Sequence, residues 1–471
     1  MEIEAVKMRV WIICSSFPPV NAAAVHRTTA LCRRLVADGH EVVVLTMPPD
    51  PSQTIDEGLL RKVPEGLPVL RIAPWFGVHR TGSGPRPEGA PGSPGRPRPR
   101  RPSACRGGIA ARIRDWASWW LHVPDSRIGW LVPAIGAGAR QGWRSRPHVI
   151  YSTAPMWTAH LVGLSLARLL GRPWVADCRD PWVANPFRKF PYAAHRRADR
   201  WLEGRMVARA AFVICNTAPA RREFIARYPR QGRKFVVVHN GYDAAEVDAI
   251  RRLPPPPTRE FFSFIHVGSF YGGRSPASLL RALARLGRRR PDLRGRLRFR
   301  QVGPDCYDGR PLAELADRFG VGDMMEILGP LPHETALRFV HDSDVGVVAG
   351  HDGPGCDLQI PRKLFEYLGL GKPILVTRGT CRAVRELLHG HNADTFWLAG
   401  NGHDGGRRLS EIIEQIVLRW QAGHLPRQLE SDKDFTAGRM ASRIEAVLIR
   451  ARCGRRTIPP EHAGSEEVLP C

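Results

Sequence analysis

The sequence has no run of about 20 consecutive apolar residues, so no segment is predicted to span a bilayer as a helix. Its ten cysteines include no CxxC pair and no histidine cluster beside them. Neither a metal site nor a disulfide framework is signalled. Acidic residues are few, 45 Asp and Glu against 70 Lys and Arg, giving a formal net charge of +25. Such an imbalance predicts attraction to an anionic partner, whether nucleic acid, phosphorylated ligand or acidic membrane, and is silent on fold. Arginine greatly outnumbers lysine along the whole chain, which coding bias explains equally well. A basic-then-apolar leader is also missing, since MEIEAVKMRVWIIC opens with acidic residues and a short strand-like run. The expectation is a cytoplasmic, reducing location with at most a peripheral contact at the inner face of a membrane.

What is present suits a large globular protein. Hydrophobic residues make up 43% and charged residues 24% of the chain, enough apolar material for a substantial core. Its 471 residues exceed what one core supports, so two domains of about 200 residues are expected.

RVWIIC at 9–14 and EVVVLT at 41–46 are strand-like runs flanking a helical pattern. This βαβ opening draws attention to the loop 15–24, because ligands bind at the carboxyl ends of parallel strands. VIYSTAP, WVADC, FVICNTAP and FVVVHNGYD continue the alternation. At about 79–108 it is interrupted by a Pro/Gly stretch with seven arginines and one glutamate, which cannot pack a core and is expected to be a disordered insertion. The proline run at 251–259 marks an interdomain linker. FFSFIHV, LRFRQVG, MEILG, DVGVVAG and PILVT then form a second alternating set. The resulting division is a first domain over 1–250, a second domain over 260–435, a terminal helix at 436–453 and a flexible tail at 454–471. The fold class is α/β, with two Rossmann-like sheets facing each other across a cleft.

PRKLFEYLGLGKPILV at 361–376 carries the strongest pattern. Pro361 suits the start of a helix and Gly371 its end, and Lys363 and Glu366 share one face. Either the two form a surface ion pair, or Glu366 accepts hydrogen bonds from ribose hydroxyls. In HVGSFYGGRSPASLLRAL at 266–283 a strand runs through a Gly-rich loop into a helix, an arrangement suited to phosphate through backbone N–H groups and Arg274. An ordinary turn with a solvated arginine is the alternative.

The segment around Glu366 resembles the donor-site helix of retaining GT-B glycosyltransferases, family 4 in particular. The resemblance implies that Glu366 holds the nucleotide ribose, and that Gly268, Ser269, Arg274 and Lys363 bind the donor diphosphate. LGPLPHE resembles the loop that touches the nucleobase, bringing in Pro332, with plain turn chemistry as the alternative. Asp344 is taken as structural. Many members have a second acidic residue eight positions before Glu366; here that position is Leu358, with Asp357 beside it. Asn21, Ala22 and Ala23 stand where relatives carry a Gly-Gly loop. The region 152–183 resembles a family subgroup and offers Arg179 and Asp180, which with Arg274 are the catalytic candidates. Arg179 can stabilise phosphate charge or contact acceptor, or else belongs to a buried network with Asp180 or Asp177.

The resemblance implies transfer of a sugar, with retention, from a UDP- or GDP-linked donor to a hydroxyl acceptor, with 1–250 as the acceptor side and 260–435 as the donor-binding domain. Lipid-linked acceptors are among the candidates, and the setting would be polysaccharide or glycolipid assembly. No metal, no other cofactor and no specific nucleic acid are expected. The alternatives are a sugar-nucleotide 2-epimerase of the same fold and a non-catalytic basic binding protein.

Overall fold

The computed structural model describes residues 7–51, 53–76, 116–186, 188, 190, 192–254, 261–271, 273–350, 355–378, 382–389, 396–399, 406–425 and 429–454. The expected insertion at 79–108, residues 255–259 of the expected linker and the tail beyond Gly454 lie outside the described residues. The described chain forms two compact units. One runs to His239 and resumes at Met440, and the other comprises Asn240–Arg439.

The first unit is built on seven strands, β1 (Arg9–Ile13), β2 (Glu41–Thr46), β3 (Val69–Arg71), β4 (Val149–Thr153), β5 (Trp174–Cys178), β6 (Phe212–Cys215) and β7 (Phe235–Val237). Their spatial order is β3-β2-β1-β4-β5-β6-β7, and every pairing is parallel. Parallel strands are covered by helices on both faces, so their residues are apolar without alternation. Val10, Trp11, Ile12 and Ile13 are accordingly all buried. The order reverses between β1 and β4, which puts the ligand-binding crevice of such sheets at their carboxyl ends. The terminal helix is Ala437–Arg452. From Met440 onward it belongs to the first unit, where Ile444, Val447 and Leu448 join the core around Val10 and Ile12.

The second unit holds β8 (Phe262–Val267), β9 (Leu297–Val302), β10 (Met325–Gly329), β11 (Val345–Val348), β12 (Ile374–Val376) and β13 (Phe396–Leu398). Their order is β10-β9-β8-β11-β12-β13, again all parallel. Side chains alternate across β8. Phe262 and Phe264 join the helices Ala277–Arg289 and Arg407–Gln421 in one core. Ile265 joins the helices His333–His341 and Lys363–Gly369 in the other.

The division between units falls at Asn240, eleven residues before the start of the linker expected from the prolines. Val247 and Ile250, on the helix Ala244–Arg251, pack with Tyr242 and Leu364 in the second unit's core, and that burial outweighs the proline signal. Two three-residue edge strands, β3 and β13, and the helix Ala193–Arg209 went unmarked in the sequence. That helix buries His195, Asp199 and Glu203, so it carries no apolar stripe at helical spacing.

Candidate functional site

Strand β8 lies at the topological switch point of the second sheet, and its carboxyl end leads into Gly268. Gly268 has φ +106°, and a Cβ there would lie 3.4 Å from the Lys363 Nζ. Gly303, after β9, has φ +143° and lies so close that a Cβ would strike the Gly268 carbonyl. Only glycine combines these dihedrals with such approach. The Gly268 N–H donates to the Val302 carbonyl at 2.7 Å, and the Gln301 amide donates to the Gly268 carbonyl at 2.7 Å.

Lys363 opens the helix Lys363–Gly369, with Arg362 as its N-cap. Pro361 stands just before this helix. Its carbonyl and that of Arg362 accept from Leu364 and Phe365 three residues on, so the chain enters through a tightened turn. Tyr367 anchors the helix to β8, its hydroxyl accepting from the Val267 N–H at 3.2 Å. Gly371, at φ +64°, follows the helix as expected of its terminating residue.

Of the two alternatives for Lys363 and Glu366, the surface ion pair does not form. Lys363 is half-buried, and its Nζ lies 2.6 Å from the His266 Nε2. Desolvation first, then the neighbouring Arg274 charge, brings its pKa down to about 7, against the opposing pull of Glu366. The buried Glu366 instead meets Arg362 one turn earlier, at 3.0 Å. His333 approaches the same carboxylate at 3.8 Å and Glu246 at 3.6 Å. Pro332 is exposed and caps the helix that begins with His333, so the LGPLPHE loop lies beside Glu366.

Arg274 stacks over the Tyr271 ring at 5.0 Å and donates to the Tyr271 hydroxyl and to Gln359 Oε1. Ser269 is half-buried next to Gly268. The structure thus gathers Gly268, Ser269, Arg274, Lys363 and Glu366 at the carboxyl end of one sheet. Asp344 accepts from the Ser263 N–H and hydroxyl at 2.8 and 2.9 Å, a structural tie. Leu358 is buried, in a short 3-10 turn with Asp357.

In the first unit, Arg179 and Asp180 follow β5 and bond each other at 3.2 Å. The Arg179 side chain is 10% exposed, and its Nη1 is buried with no hydrogen-bond partner among the described residues. Asp177 is not part of that pair. Arg27 binds it through two nitrogens at 2.7 and 3.2 Å, and the Tyr151 hydroxyl donates to the same carboxylate. Arg27 also donates to the His239 and Val238 carbonyls. Of Asn21, Ala22 and Ala23, the first and last are exposed. Ala22 is the extended N-cap of the helix Ala23–Ala37 and supplies no side-chain cap.

Sequence reasoning passed over His266, Gln301, Arg362, His333 and Arg27. Each is defined by a partner that only the fold brings near, such as His266 and Lys363, 97 residues apart. Among the described residues, no group of three or more His, Cys, Asp or Glu could hold a metal ion, and no helix is long and apolar enough to cross a membrane.

Residues 23–241 match the model of the glycosyl transferase 4-like domain. A D-inositol 3-phosphate glycosyltransferase of Thermobispora bispora is 31% identical over 274 residues, which are 55% of this chain and 60% of that protein. The enzyme of that name from Nocardiopsis dassonvillei is 27% identical over 308 residues, 58% of this chain and 69% of that one. Among solved structures, a glycosyltransferase from Rickettsia africae superposes with TM-score 0.61 at 10% identity, covering 95% of this chain and 99% of the other. HepE of Anabaena, solved in complex with UDP-glucose, superposes with TM-score 0.58 at 15% identity, covering 94% and 99%.

Proposed function

The chain has the GT-B fold and carries a glycosyl transferase 4-like domain over residues 23–241; from that premise we propose that it transfers a sugar from a nucleotide diphosphate sugar to a hydroxyl acceptor, with retention. The observation that carries this reading is the convergence of Gly268, Arg274 and Lys363 beside the buried Glu366. Two cationic side chains around a glycine turn suit a diphosphate, and a buried carboxylate one helical turn away suits ribose hydroxyls. The chemical task is to stabilise the leaving diphosphate. Arg274 and Lys363 do this electrostatically, and no divalent ion is required. Arg179, with an unsatisfied N–H in the loop after β5, is the group of the first unit suited to bind an acceptor, and Asp180 holds it.

HepE has been solved with UDP-glucose, which supports trying a uridine donor first. A solved UDP-N-acetylglucosamine 2-epimerase shares the fold, with TM-score 0.51 at 14% identity, so the fold alone does not choose between transfer and epimerisation. The matching domain model favours transfer.

Calorimetry with UDP and GDP, with and without EDTA, tests the donor site. Binding that weakens by about 1–3 kcal/mol in Glu366→Ala, the cost of unpairing a buried hydrogen-bonding site, and that EDTA leaves unchanged is the expected result. Failure of both nucleotides to bind folded protein would remove the reading.

The excess of cationic residues supports peripheral attachment to anionic membrane, where a lipid-linked acceptor would be found. Each basic residue near such a surface adds about 1 kcal/mol. Sedimentation with anionic liposomes at physiological salt is expected to exceed that with neutral ones; equal sedimentation refutes the attachment.

A further inference from the structure

We propose that His266 is a positioning residue, held by Gln301 as its Nδ1–H tautomer, whose Nε2 lone pair fixes the Lys363 ammonium over the Gly268 turn to meet a diphosphate. The proposal rests on the donor-site reading above for its ligand, while the arrangement itself rests on geometry.

The Gln301 amide is oriented by its own partners. Its Nε2 donates to the Gly268 carbonyl at 2.7 Å, and turning the amide over would set two oxygens face to face. Its Oε1 therefore faces the His266 Nδ1, 2.8 Å away, and that nitrogen must carry the proton. The Nε2 of a neutral ring is then an acceptor, and the Lys363 Nζ lies 2.6 Å from it. Stacking on Phe270, with centroids 4.1 Å apart and planes 11° off parallel, fixes the ring plane. His266, Gln301 and Phe270 are all buried. An imidazolium here would face both Lys363 and Arg274, the charged groups nearest it, and burial together with those charges disfavours it.

A neutral acceptor has a purpose a carboxylate would not serve. It holds one N–H of a flexible lysine without neutralising the protonated amine, whose charge and two further N–H groups stay available to an anion. Lys363, against the Gly268 turn, and the neighbouring Arg274 then present like charges to an anion.

Nitrogen-15 histidine spectra of the nucleotide-free full chain near neutral pH decide the tautomer, with the His266 signals assigned by their loss in His266→Phe. A protonated Nδ1 and an unprotonated Nε2 are expected; an Nε2–H tautomer overturns the proposal. Calorimetry then compares UDP with uridine. In His266→Phe, UDP should bind about tenfold more weakly, the scale of one charge-assisted hydrogen bond, with uridine unchanged. UDP affinity equal to wild type, or equal losses for UDP and uridine, overturns the positioning role. If His266→Phe does not fold, Gln301→Leu is measured in its place, with the same loss confined to UDP. If wild-type protein binds neither UDP nor GDP, the donor reading fails, and the tautomer still decides whether His266 holds Lys363 as described.

Discussion

Each unit sets a cation at its sheet, and the two are treated in opposite ways. In the first unit Arg27, 2% exposed, is matched by the wholly buried Asp177 through two nitrogens, and backbone carbonyls take further N–H groups. In the second, Lys363 meets a neutral imidazole with Arg274 as its charged neighbour, while Glu366 is taken up by Arg362. A matched pair fixes a loop and leaves nothing for a ligand. An ammonium without a bonded counter-charge is costly to fold and suited to binding an anion.

The largest expected effect comes from unmatching the first pair. Asp177→Ala leaves Arg27 without its carboxylate and is expected to cost about 3–5 kcal/mol of stability, measured by chemical denaturation. A loss as small as that of a surface pair would mean that Arg27 finds another partner, and the contrast would weaken.

Removing the second cation should do the reverse. Lys363→Met is expected to keep or raise stability while weakening UDP by about tenfold, as for a lost charge-assisted contact. The pH response sharpens this. Lys363 titrates at about 7 in the folded chain, below its ordinary value of 10.5. Between these values the unfolded chain holds a proton the folded chain has shed, so this residue makes stability rise with pH across that window. Diphosphate favours the charged amine, so UDP affinity is expected to fall as pH rises above about 7, and Lys363→Met should flatten that slope. A pH-independent wild type would place the lysine's titration elsewhere.

The smallest effect is the control. Arg407 and Glu411, four residues apart on an exposed helix face, bond at 3.0 Å. Arg407→Ala should cost only about 0.2–0.5 kcal/mol, with UDP binding unchanged.

Much of this was legible in the chain. Runs such as WVADC and FVIC are strands because both faces of a parallel strand are covered, and the structure has them at Trp174–Cys178 and Phe212–Cys215. The site's anchors were also legible, because a glycine turn after a strand and a short helix ending in glycine are local backbone demands. The edge strands β3 and β13 were not marked. Nor was the helix Ala193–Arg209, whose buried polar residues erase the apolar stripe.

By itself, then, the sequence determined the alternation of elements, the two parallel sheets and the segments that reach their carboxyl ends, because propensity and burial pattern act over a few neighbouring residues. The tertiary structure decided who partners whom. Lys363 was read against Glu366, three residues away, but bonds His266, and Glu366 bonds Arg362. Asp177 stands two residues from Arg179 but is taken by Arg27, 150 residues distant. Charge pairing depends on distance and desolvation in space, and neither exists until the strands that carry these side chains have been laid side by side.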